Sequence, residues 1–288
     1  MRIFEPTVEI INQKNDFISI MKHIELIGRE AYKSQENITD DSYIKFNKHL
    51  INNEHYSVLE HGTIYLKTNN GSVINKYTLN KYSTIKIIEG YGYITTNYRV
   101  IIENKWSDDL EYLSEPTEYH DIRITIKLST QIAISREFNR HRTHSITEES
   151  TRFCNYNKNK FDNQLTYSLP HNISFQDIIN AKKNLSDIEG YENKYSFINE
   201  QMTFNWTPIE WWVWSLSCCE LAYKKLINFG WKAQDARYVL PLGTKSDLVH
   251  TCFKFEWEDF INKRTQKDVH PDAKTLANKI KKLIFNEN

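Results

Sequence analysis

The segment Asp121-Ile-Arg-Ile-Thr-Ile-Lys-Leu128 alternates polar and apolar side chains almost without a break. Because successive side chains of a strand point to opposite faces, this pattern predicts a strand that buries one face and exposes the other. A second strand is predicted at Thr63-Ile-Tyr-Leu-Lys67, which is rich in β-branched and aromatic residues. Half-buried strands are typical of antiparallel sheets, so the first half of the chain is expected to contain an antiparallel sheet.

Helical patterns lie on both sides of these strands. Residues 15–33 carry apolar side chains on one stripe, and a second helix is predicted after Thr39. In the second half, Thr207 and Glu210 form a predicted capping box with proline between them, and Gly230 is placed to end that helix. Further helices are predicted at residues 231–239, 245–263 and 272–285.

Residues 69–100, which include Gly90 and Gly92, are predicted to form turns and short elements. Gly90-Tyr-Gly92 lacks the third glycine of a dinucleotide fingerprint, so any nucleotide has to be bound by side chains. Strands in the first half and helices mainly in the second predict an α+β fold. We expect an antiparallel sheet packed with helices, a mainly helical second half, and a single domain over residues 1–288.

The composition argues against several classes of protein. Lysine and arginine total 37, as do aspartate and glutamate, and a net charge of zero is unusual for a dedicated nucleic-acid binder. Cys154, Cys218, Cys219 and Cys252 form no Cys-x-x-Cys pair, which favours reduced thiols. No apolar run approaches the roughly 18 residues of a membrane span, and the first residues do not resemble a signal peptide. A cytoplasmic protein without membrane contact is expected.

Residues 135–152 hold the densest group of functional side chains. They include four arginines, two histidines and no lysine, in a chain that is neutral overall. Arginine presents a rigid fork of donors that suits phosphates and the carbonyl edges of heterocycles. Glu148 and Glu149 can accept hydrogen bonds from a ligand, and Ser150 adds a hydroxyl. The segment predicts a site for an anionic small molecule.

Three other interpretations of this segment remain open at this point. The first is a solvated charged face, although such a face normally includes lysines. The second is a metal site of His141, His144 and Glu148, which share a face if the segment is helical, although Arg140 and Arg142 would repel a cation. The third is contact with nucleic acid.

Arg140-His141-Arg142, followed after seven residues by Ser150, resembles the RHR-x7-S signature of the flavin-dependent thymidylate synthases. Ser145, Glu148 and Arg152 fit the longer pattern of that family. Other segments also match the family and occur in the same order along the chain. They are Glu60-His61 before the signature, and Ala236-Arg237-Tyr-Val-Leu-Pro241, Arg264 and His270-Pro271 after it. Together the pieces cover residues 55–275.

The resemblance implies the flavin-dependent thymidylate synthase fold and a methyltransferase that converts dUMP to dTMP. Methylene-tetrahydrofolate is the implied carbon donor, and FAD is the implied cofactor that carries hydride from NADPH. The implied assembly is a homotetramer whose FAD and dUMP sites combine residues of different subunits. Neither a metal nor a nucleic-acid or membrane partner is expected.

The resemblance also implies a role for individual residues. The expected FAD contacts are Thr63, Arg140, His141, Arg142, Glu148 and Asp259. The expected dUMP contacts are Glu137, Phe138, Asn139, Arg140, Glu148, Glu149, Ser150, Thr151, Arg152, Arg237 and Arg264. Arg264 is the expected catalytic residue, because a fixed guanidinium at the pyrimidine edge stabilises negative charge as it develops there.

The sequence departs from the family pattern at three places. Glu137 stands where some members have glutamine, so a carboxylate replaces a hydrogen-bond donor. Asp259 stands where some members have an FAD-contacting asparagine, and Phe253-Lys-Phe255 replaces an Asn-Ala-Arg stretch. Whether this region contacts flavin as in the family is therefore open, while the resemblance implies a complete dUMP site.

Two other functions are alternatives to this enzyme. A nucleic-acid-binding protein that uses the basic cluster at residues 136–152 would bind oligonucleotides in a salt-sensitive way and carry no flavin. A thymidylate synthase with a cysteine nucleophile would act on the same substrate. None of the four cysteines has the Pro-Cys-His setting expected for such an enzyme.

Overall fold

The structure is a computed structural model, and it describes residues 1–186 and 205–285. The chain divides into two compact units. Unit 1 comprises Met1–Pro6, Thr130–Ser135 and Ser150–Ser246, and unit 2 comprises Thr7–Ser129, Arg136–Glu149 and Asp247–Asn288. Neither unit is a continuous stretch of sequence. The single domain expected from the sequence stays a prediction.

Helices occur along the whole described chain. In order they are α1 (Phe17–Tyr32), α2 (Ser42–Asn52), α3 (Tyr56–Leu59), α4 (Gly71–Thr78), α5 (Tyr98–Glu103), α6 (Ile132–Phe138), α7 (Phe175–Ser186), α8 (Pro208–Asn228), α9 (Ala233–Ala236), α10 (Lys254–Arg264) and α11 (Pro271–Phe285). Within residues 1–186 and 205–285, no helix combines the length and the apolar character needed to cross a membrane.

The strands of the described residues form three sheets. The strands are β1 (Arg2–Phe4), β2 (Thr7–Ile10), β3 (Thr63–Thr68), β4 (Thr84–Ile88), β5 (Tyr91–Asn97), β6 (Arg123–Gln131), β7 (Ser145–Glu148), β8 (Thr166–Ser168) and β9 (Lys245–Phe253). The sheet orders are β2-β6-β9-β7, β3-β5-β4 and β1-β8. The pairs β2–β6, β7–β9, β3–β5 and β4–β5 are antiparallel, which confirms the predicted α+β class.

The helix predicted at residues 245–263 is wrong in its first half, because residues 245–253 form β9. This strand lies between β6 and β7, and every residue after Lys245 is buried. A strand that is buried on both faces has no polar alternation, so periodicity does not distinguish it from a buried helix. The helical part of the prediction is α10, which begins only at Lys254.

Residues 69–100 are more regular than the predicted turns and short elements. They contain α4, β4 and β5, and β5 pairs with both β3 and β4. Glu89 and Gly90 connect β4 to β5 with φ angles of 49° and 83°, as a two-residue type I′ hairpin turn requires. The alternation that marks a half-buried strand is missing from β5, because all its residues after Tyr91 are buried.

The core of unit 2 is built by α1, α2 and the β3-β5-β4 sheet. Ile20 and Ile24 of α1 are fully buried together with Ile64 of β3, and Leu50 of α2 belongs to the same cluster. The helix α1 starts where it does because the Asp16 carboxylate accepts the Ser19 N–H at 2.9 Å. This confirms the helix predicted at residues 15–33.

Unit 1 contains α7, α8 and α9. The capping box at the start of α8 is confirmed, since the Thr207 hydroxyl accepts the Glu210 N–H at 3.3 Å and the Glu210 carboxylate accepts the Thr207 N–H at 2.7 Å. After α8, Gly230 adopts a φ of 90°, which glycine tolerates best. The helix predicted at residues 231–239 is observed as α9 followed by a short 3₁₀ helix, Arg237–Val239.

Candidate active site

The arginine-rich segment does not form one helix. It leaves α6 at Phe138, turns through residues 139–144 and enters β7 at Ser145. His141 and His144 therefore lie in the turn while Glu148 lies in the strand, which removes the helical face assumed for a metal site. In the part of the chain that the structure describes, no three His, Cys, Asp or Glu side chains are grouped to hold a metal.

Arg264 ends α10 and contacts this turn. Its Nε donates to His141 Nε2 at 3.0 Å, and its other nitrogens donate to the Glu137 backbone carbonyl and to the Glu137 carboxylate, the latter at 3.3 Å. Only 14% of the Arg264 side chain is exposed. The fold thus joins the expected catalytic arginine to two residues of the arginine-rich segment that are distant in sequence.

His141 accepts this hydrogen bond in its neutral form. Burial, reinforced by the positive charge of Arg264, lowers the pKa of His141 to about 4. Because Nε2 accepts from Arg264, the proton of the neutral ring resides on Nδ1. The ring also packs against Phe260, with 4.5 Å between centroids. His141 therefore holds Arg264 without adding a second positive charge.

Three of the buried histidines of unit 2 are His61, His144 and His250. Nδ1 of His144 and Nδ1 of His250 lie 3.1 Å apart, so one nitrogen donates and the other accepts. His61 contacts the hydroxyls of Thr147 and Thr251 at 3.0 and 2.8 Å. Burial lowers the pKa of His144 to about 3 and places the pKa values of His61 and His250 well below the usual range. All three rings are neutral at physiological pH.

The two glutamates of the segment have different surroundings. The Glu148 carboxylate accepts a hydrogen bond from the Asn139 amide at 2.7 Å. Glu149 is buried, and its carboxylate lies 3.6 Å from the Lys33 ammonium, which also pairs with Glu30 and Asp247. Glu149 thus belongs to an ion cluster whose other members come from distant parts of the sequence.

A cavity of about 360 Å³ in unit 2 is lined by Arg142, and we name it the Arg142 cavity. Its lining also includes Thr143, His144 and Ser145 from the turn and the start of β7. Seven of its lining side chains are acidic or basic: Glu60, Lys81, Arg99, Glu103, Arg123, Arg142 and Glu256.

Sequence reasoning missed Arg123 as a functional candidate. It was one of the polar positions of the alternating strand, and this pattern made it a solvent-facing residue. In the structure it donates to the Glu60 carbonyl at 3.0 Å and to the Ser145 hydroxyl at 3.1 Å, and its guanidinium lies 5.7 Å from the Phe253 ring centroid. The sequence signal was its position at the start of the strand that leads to the arginine-rich segment.

Five of the six expected FAD ligands lie outside the lining of the Arg142 cavity: Thr63, Arg140, His141, Glu148 and Asp259. Thr63 accepts a hydrogen bond from Arg123 at 3.4 Å, and its backbone N–H and carbonyl are both bound by the Gln13 amide. Asp259 is exposed on α10 and pairs with Lys263 at 2.6 Å. Arg140 is exposed as well, while Phe138 is fully buried.

The remaining expected dUMP ligands belong to unit 1. The Ser150 carbonyl accepts the backbone N–H groups of Phe153 and Cys154, which makes residues 150–154 a tight turn. Arg237 donates to the Thr151 hydroxyl at 3.4 Å. Arg152 is exposed, with its guanidinium 5.4 Å from the Phe153 ring centroid.

Comparison with known proteins identifies the family. The model of the family described as thymidylate synthase complementing protein matches residues 110–287, and this chain belongs to that family, the flavin-dependent thymidylate synthases. It is accordingly a methyltransferase of dTMP synthesis, with dUMP as the methyl acceptor. A search of curated proteins finds no match.

Two solved structures are similar to this chain. One is a UMP/dUMP methylase, PolB from Streptomyces cacaoi, bound with 5-Br dUMP. The alignment has 14% sequence identity and a TM-score of 0.40, and it covers 98% of this chain and 91% of the PolB chain. The other is the same methylase bound with 5-Br UMP, at 16% identity, coverages of 98% and 90%, and a TM-score of 0.41.

Proposed function

We propose that this enzyme methylates dUMP reductively, with methylene-tetrahydrofolate as the carbon donor, FAD as the cofactor and NADPH as the reductant. The observation that carries the proposal is the contact of Arg264 with His141 and Glu137. Sequence proximity does not impose this contact, because Arg264 and His141 are 123 residues apart. It joins the expected catalytic residue to the signature that the resemblance first indicated.

Arg264 is suited to activating the pyrimidine. Carbon C5 of dUMP becomes more nucleophilic when negative charge develops across N3 and its flanking carbonyls, and a fixed guanidinium stabilises that charge as it forms. A guanidinium has about five N–H donors, and three hydrogen bonds hold Arg264 to His141 and Glu137. The remaining donors are available for a pyrimidine carbonyl.

The residues of unit 2 fit a flavin dinucleotide. When bound, FAD would supply the redox chemistry that carries hydride from NADPH to the transferred carbon. Its anionic diphosphate needs cationic side chains because the chain has no glycine-rich phosphate loop. Within the described residues, neither Arg123 nor Arg142 forms an ion pair with a carboxylate, and both line the Arg142 cavity. The proposed FAD ligands are Thr63, Arg140, His141, Arg142, Glu148 and Asp259.

Each unit contains some of the proposed dUMP ligands. In unit 1, Arg152 and Arg237 provide guanidinium groups for the phosphate, and Ser150 and Thr151 provide hydroxyls. In unit 2, Arg264 binds the base. The other proposed ligands of unit 2 are Glu137, Phe138, Asn139, Arg140, Glu148 and Glu149.

The first test is the absorption spectrum of the purified protein, together with dTMP formation from dUMP, methylene-tetrahydrofolate and NADPH. We expect bound flavin and turnover that depends on all three substrates. A preparation that is colourless, takes up no added FAD and makes no dTMP would overturn the proposal. Salt-sensitive oligonucleotide binding by such a preparation would favour the nucleic-acid alternative.

The second test replaces Arg264 with alanine. We expect dTMP formation to fall by roughly 100-fold or more, as is typical when one preorganised electrostatic donor is removed, while FAD stays bound and NADPH oxidation persists in part. Lys263→Ala is the matched control, since it removes the neighbouring positive charge, which pairs with the exposed Asp259 at 2.6 Å. A near-normal rate in Arg264→Ala would mean that Arg264 merely stabilises the end of α10, an effect of about 0.3–1 kcal/mol.

A further inference from the structure

Residues 69–100, to which the sequence assigned no role, contribute side chains to the Arg142 cavity. Lys81 and Tyr82 lie in the turn between α4 and β4, and both line the cavity. Arg99, in α5 directly after β5, lines it as well. None of the three belongs to the motifs that indicated the family, so the cavity wall includes a part of the chain outside those motifs.

The turn that presents Lys81 is held to the sheet. The Asn80 side-chain oxygen accepts the Tyr82 N–H at 2.9 Å, and the Ser83 hydroxyl lies 2.8 Å from the Thr96 hydroxyl of β5. The Lys81 ammonium lies 4.8 Å from the centroid of the Tyr82 ring, at a distance typical of a cation–π contact. Lys81 is therefore presented by an ordered turn.

The charges of the cavity do not cancel. Arg99 pairs with Glu60 at 2.6 Å and with Glu103 at 2.9 Å, so two of the three carboxylates are engaged with one cation. The third, Glu256, accepts the backbone N–H of Phe253 at 2.9 Å, and burial raises the pKa of its carboxyl group.

Three cationic side chains of the cavity are left without an acidic partner. In the described chain, Lys81, Arg123 and Arg142 form no ion pair with a carboxylate. Arg123 is partly buried, and among the described residues its guanidinium donates to neutral acceptors, the Glu60 carbonyl and the hydroxyls of Thr63 and Ser145. The carboxylates of Glu60 and Glu256 attract it electrostatically without forming an ion pair. A buried cation without a counter-charge is costly unless a ligand supplies the charge. The cavity is therefore suited to a group with more than one negative charge.

We propose that Lys81 completes, with Arg123 and Arg142, a binding site for the diphosphate of FAD in the Arg142 cavity. The inference rests on the proposed function and adds a ligand from residues 69–100 to it. Two guanidinium forks and one ammonium match a diphosphate, because arginine binds phosphate oxygens in pairs and lysine acts as a point charge. A volume of about 360 Å³ is at the small end of ligand pockets, which suits the central part of a dinucleotide.

The test measures the Kd for FAD of the full-length chain by diluting the holoenzyme and following the recovery of flavin fluorescence. We expect Lys81→Met to raise the Kd by about tenfold, the effect of losing one charge-assisted hydrogen bond. Lys81→Arg keeps the charge and is expected to stay near the wild-type value. Lys86→Met is the matched control, because Lys86 is in β4, pairs with Asp121 at 2.6 Å and does not line the cavity.

The salt dependence of the Kd and a second ligand identify the bound group. The Kd of wild-type protein is expected to rise more steeply with salt than that of Lys81→Met, because one ionic contact is missing in the variant. A Kd for FAD in Lys81→Met within twofold of wild type would overturn the inference and leave the proposed function standing. The inference would also be overturned if Lys81→Met weakened the binding of NADP⁺ but not of FAD, because the diphosphate site would then belong to the nicotinamide co-substrate. Failure of the wild-type chain to bind FAD would overturn both.

Discussion

Lys33 combines an unfavourable backbone conformation with favourable ion pairs of its side chain. It follows α1 in a left-handed conformation, with φ 49° and ψ 55°, where glycine is the usual residue. This conformation costs a non-glycine residue about 1–2 kcal/mol. The side chain offsets the cost, because its ammonium pairs with the nearly buried carboxylates of Glu30, Glu149 and Asp247. Glycine at this position would leave these carboxylates with less compensating charge.

The buried histidines make the stability of the protein dependent on pH. Burial lowers the pKa of His23 and His141 to about 4 and that of His144 to about 3. In the unfolded chain a histidine titrates near 6.5. Below that pH the unfolded state binds protons that the folded state does not bind until its own lower pKa is reached. The contribution of these histidines to the free energy of unfolding is therefore fully present above pH ~6.5, and it is lost as the pH decreases towards 4.

This prediction can be measured by urea unfolding between pH 7.5 and 5. Each such histidine contributes a slope of up to about 1.4 kcal/mol per pH unit in this window. His144→Gln is expected to lower stability at pH 7.5 and to reduce the slope. His49→Gln, on the exposed face of α2, is the control and should keep the wild-type slope. A flat stability profile of the wild-type protein from pH 7 to 5 would contradict the assignment of neutral buried histidines.

At the scale of elements, some helices and strands are specified by local sequence and others by their tertiary neighbours. The start of α8 is defined by four consecutive residues, because the Thr207 side chain and Glu210 satisfy each other's backbone N–H groups. The strand β9 has no comparable local signal. Its identity depends on hydrogen bonding to β6 and β7, which are about 100 residues away in sequence. A capped helix is therefore predictable, and a central strand is not.

The cap of α8 leads to a prediction about stability. Thr207→Ala removes the acceptor of the Glu210 N–H and is expected to lower the free energy of unfolding by about 1 kcal/mol. Thr207→Ser keeps the oxygen and should remain within a few tenths of a kcal/mol of the wild type. Urea unfolding followed by tryptophan fluorescence is a suitable measurement, since Trp211 and Trp214 lie in the first turns of α8. Equal loss in both variants would exclude a capping role for the hydroxyl.

At the scale of the whole molecule, unit 1 exposes large apolar side chains. Phe229 is 82% exposed and Tyr238 is 78% exposed, and Trp231 is exposed between them in sequence. Such residues are often covered when subunits associate. They are compatible with the homotetramer that the family resemblance implies, which stays a prediction.

The assembly can be measured directly. We expect light scattering to give the mass of about four chains of 34.3 kDa, as closed dihedral assembly would produce. Phe229→Glu is expected to shift the population towards smaller species, because it places a charge on an exposed apolar surface that association is expected to cover. Lys232→Glu, at an exposed polar position nearby, is the control. A mass of one chain with full dTMP formation would show that the sites do not need residues from different subunits.

The sequence by itself determined the family signature, the α+β class, the capped helices and the strand that leads into the arginine-rich segment. These features depend on local spacing, which the order of residues contains directly. The tertiary structure alone decided that residues 245–253 form a strand, that Glu149 joins an ion cluster with Lys33, and that Arg264 is held by His141 and Glu137. It also decided that Lys81 and Arg123 line one cavity with Arg142. The physical reason is that burial, counter-charge and hydrogen-bond partners come from residues far apart in the chain, and only folding brings these residues into contact.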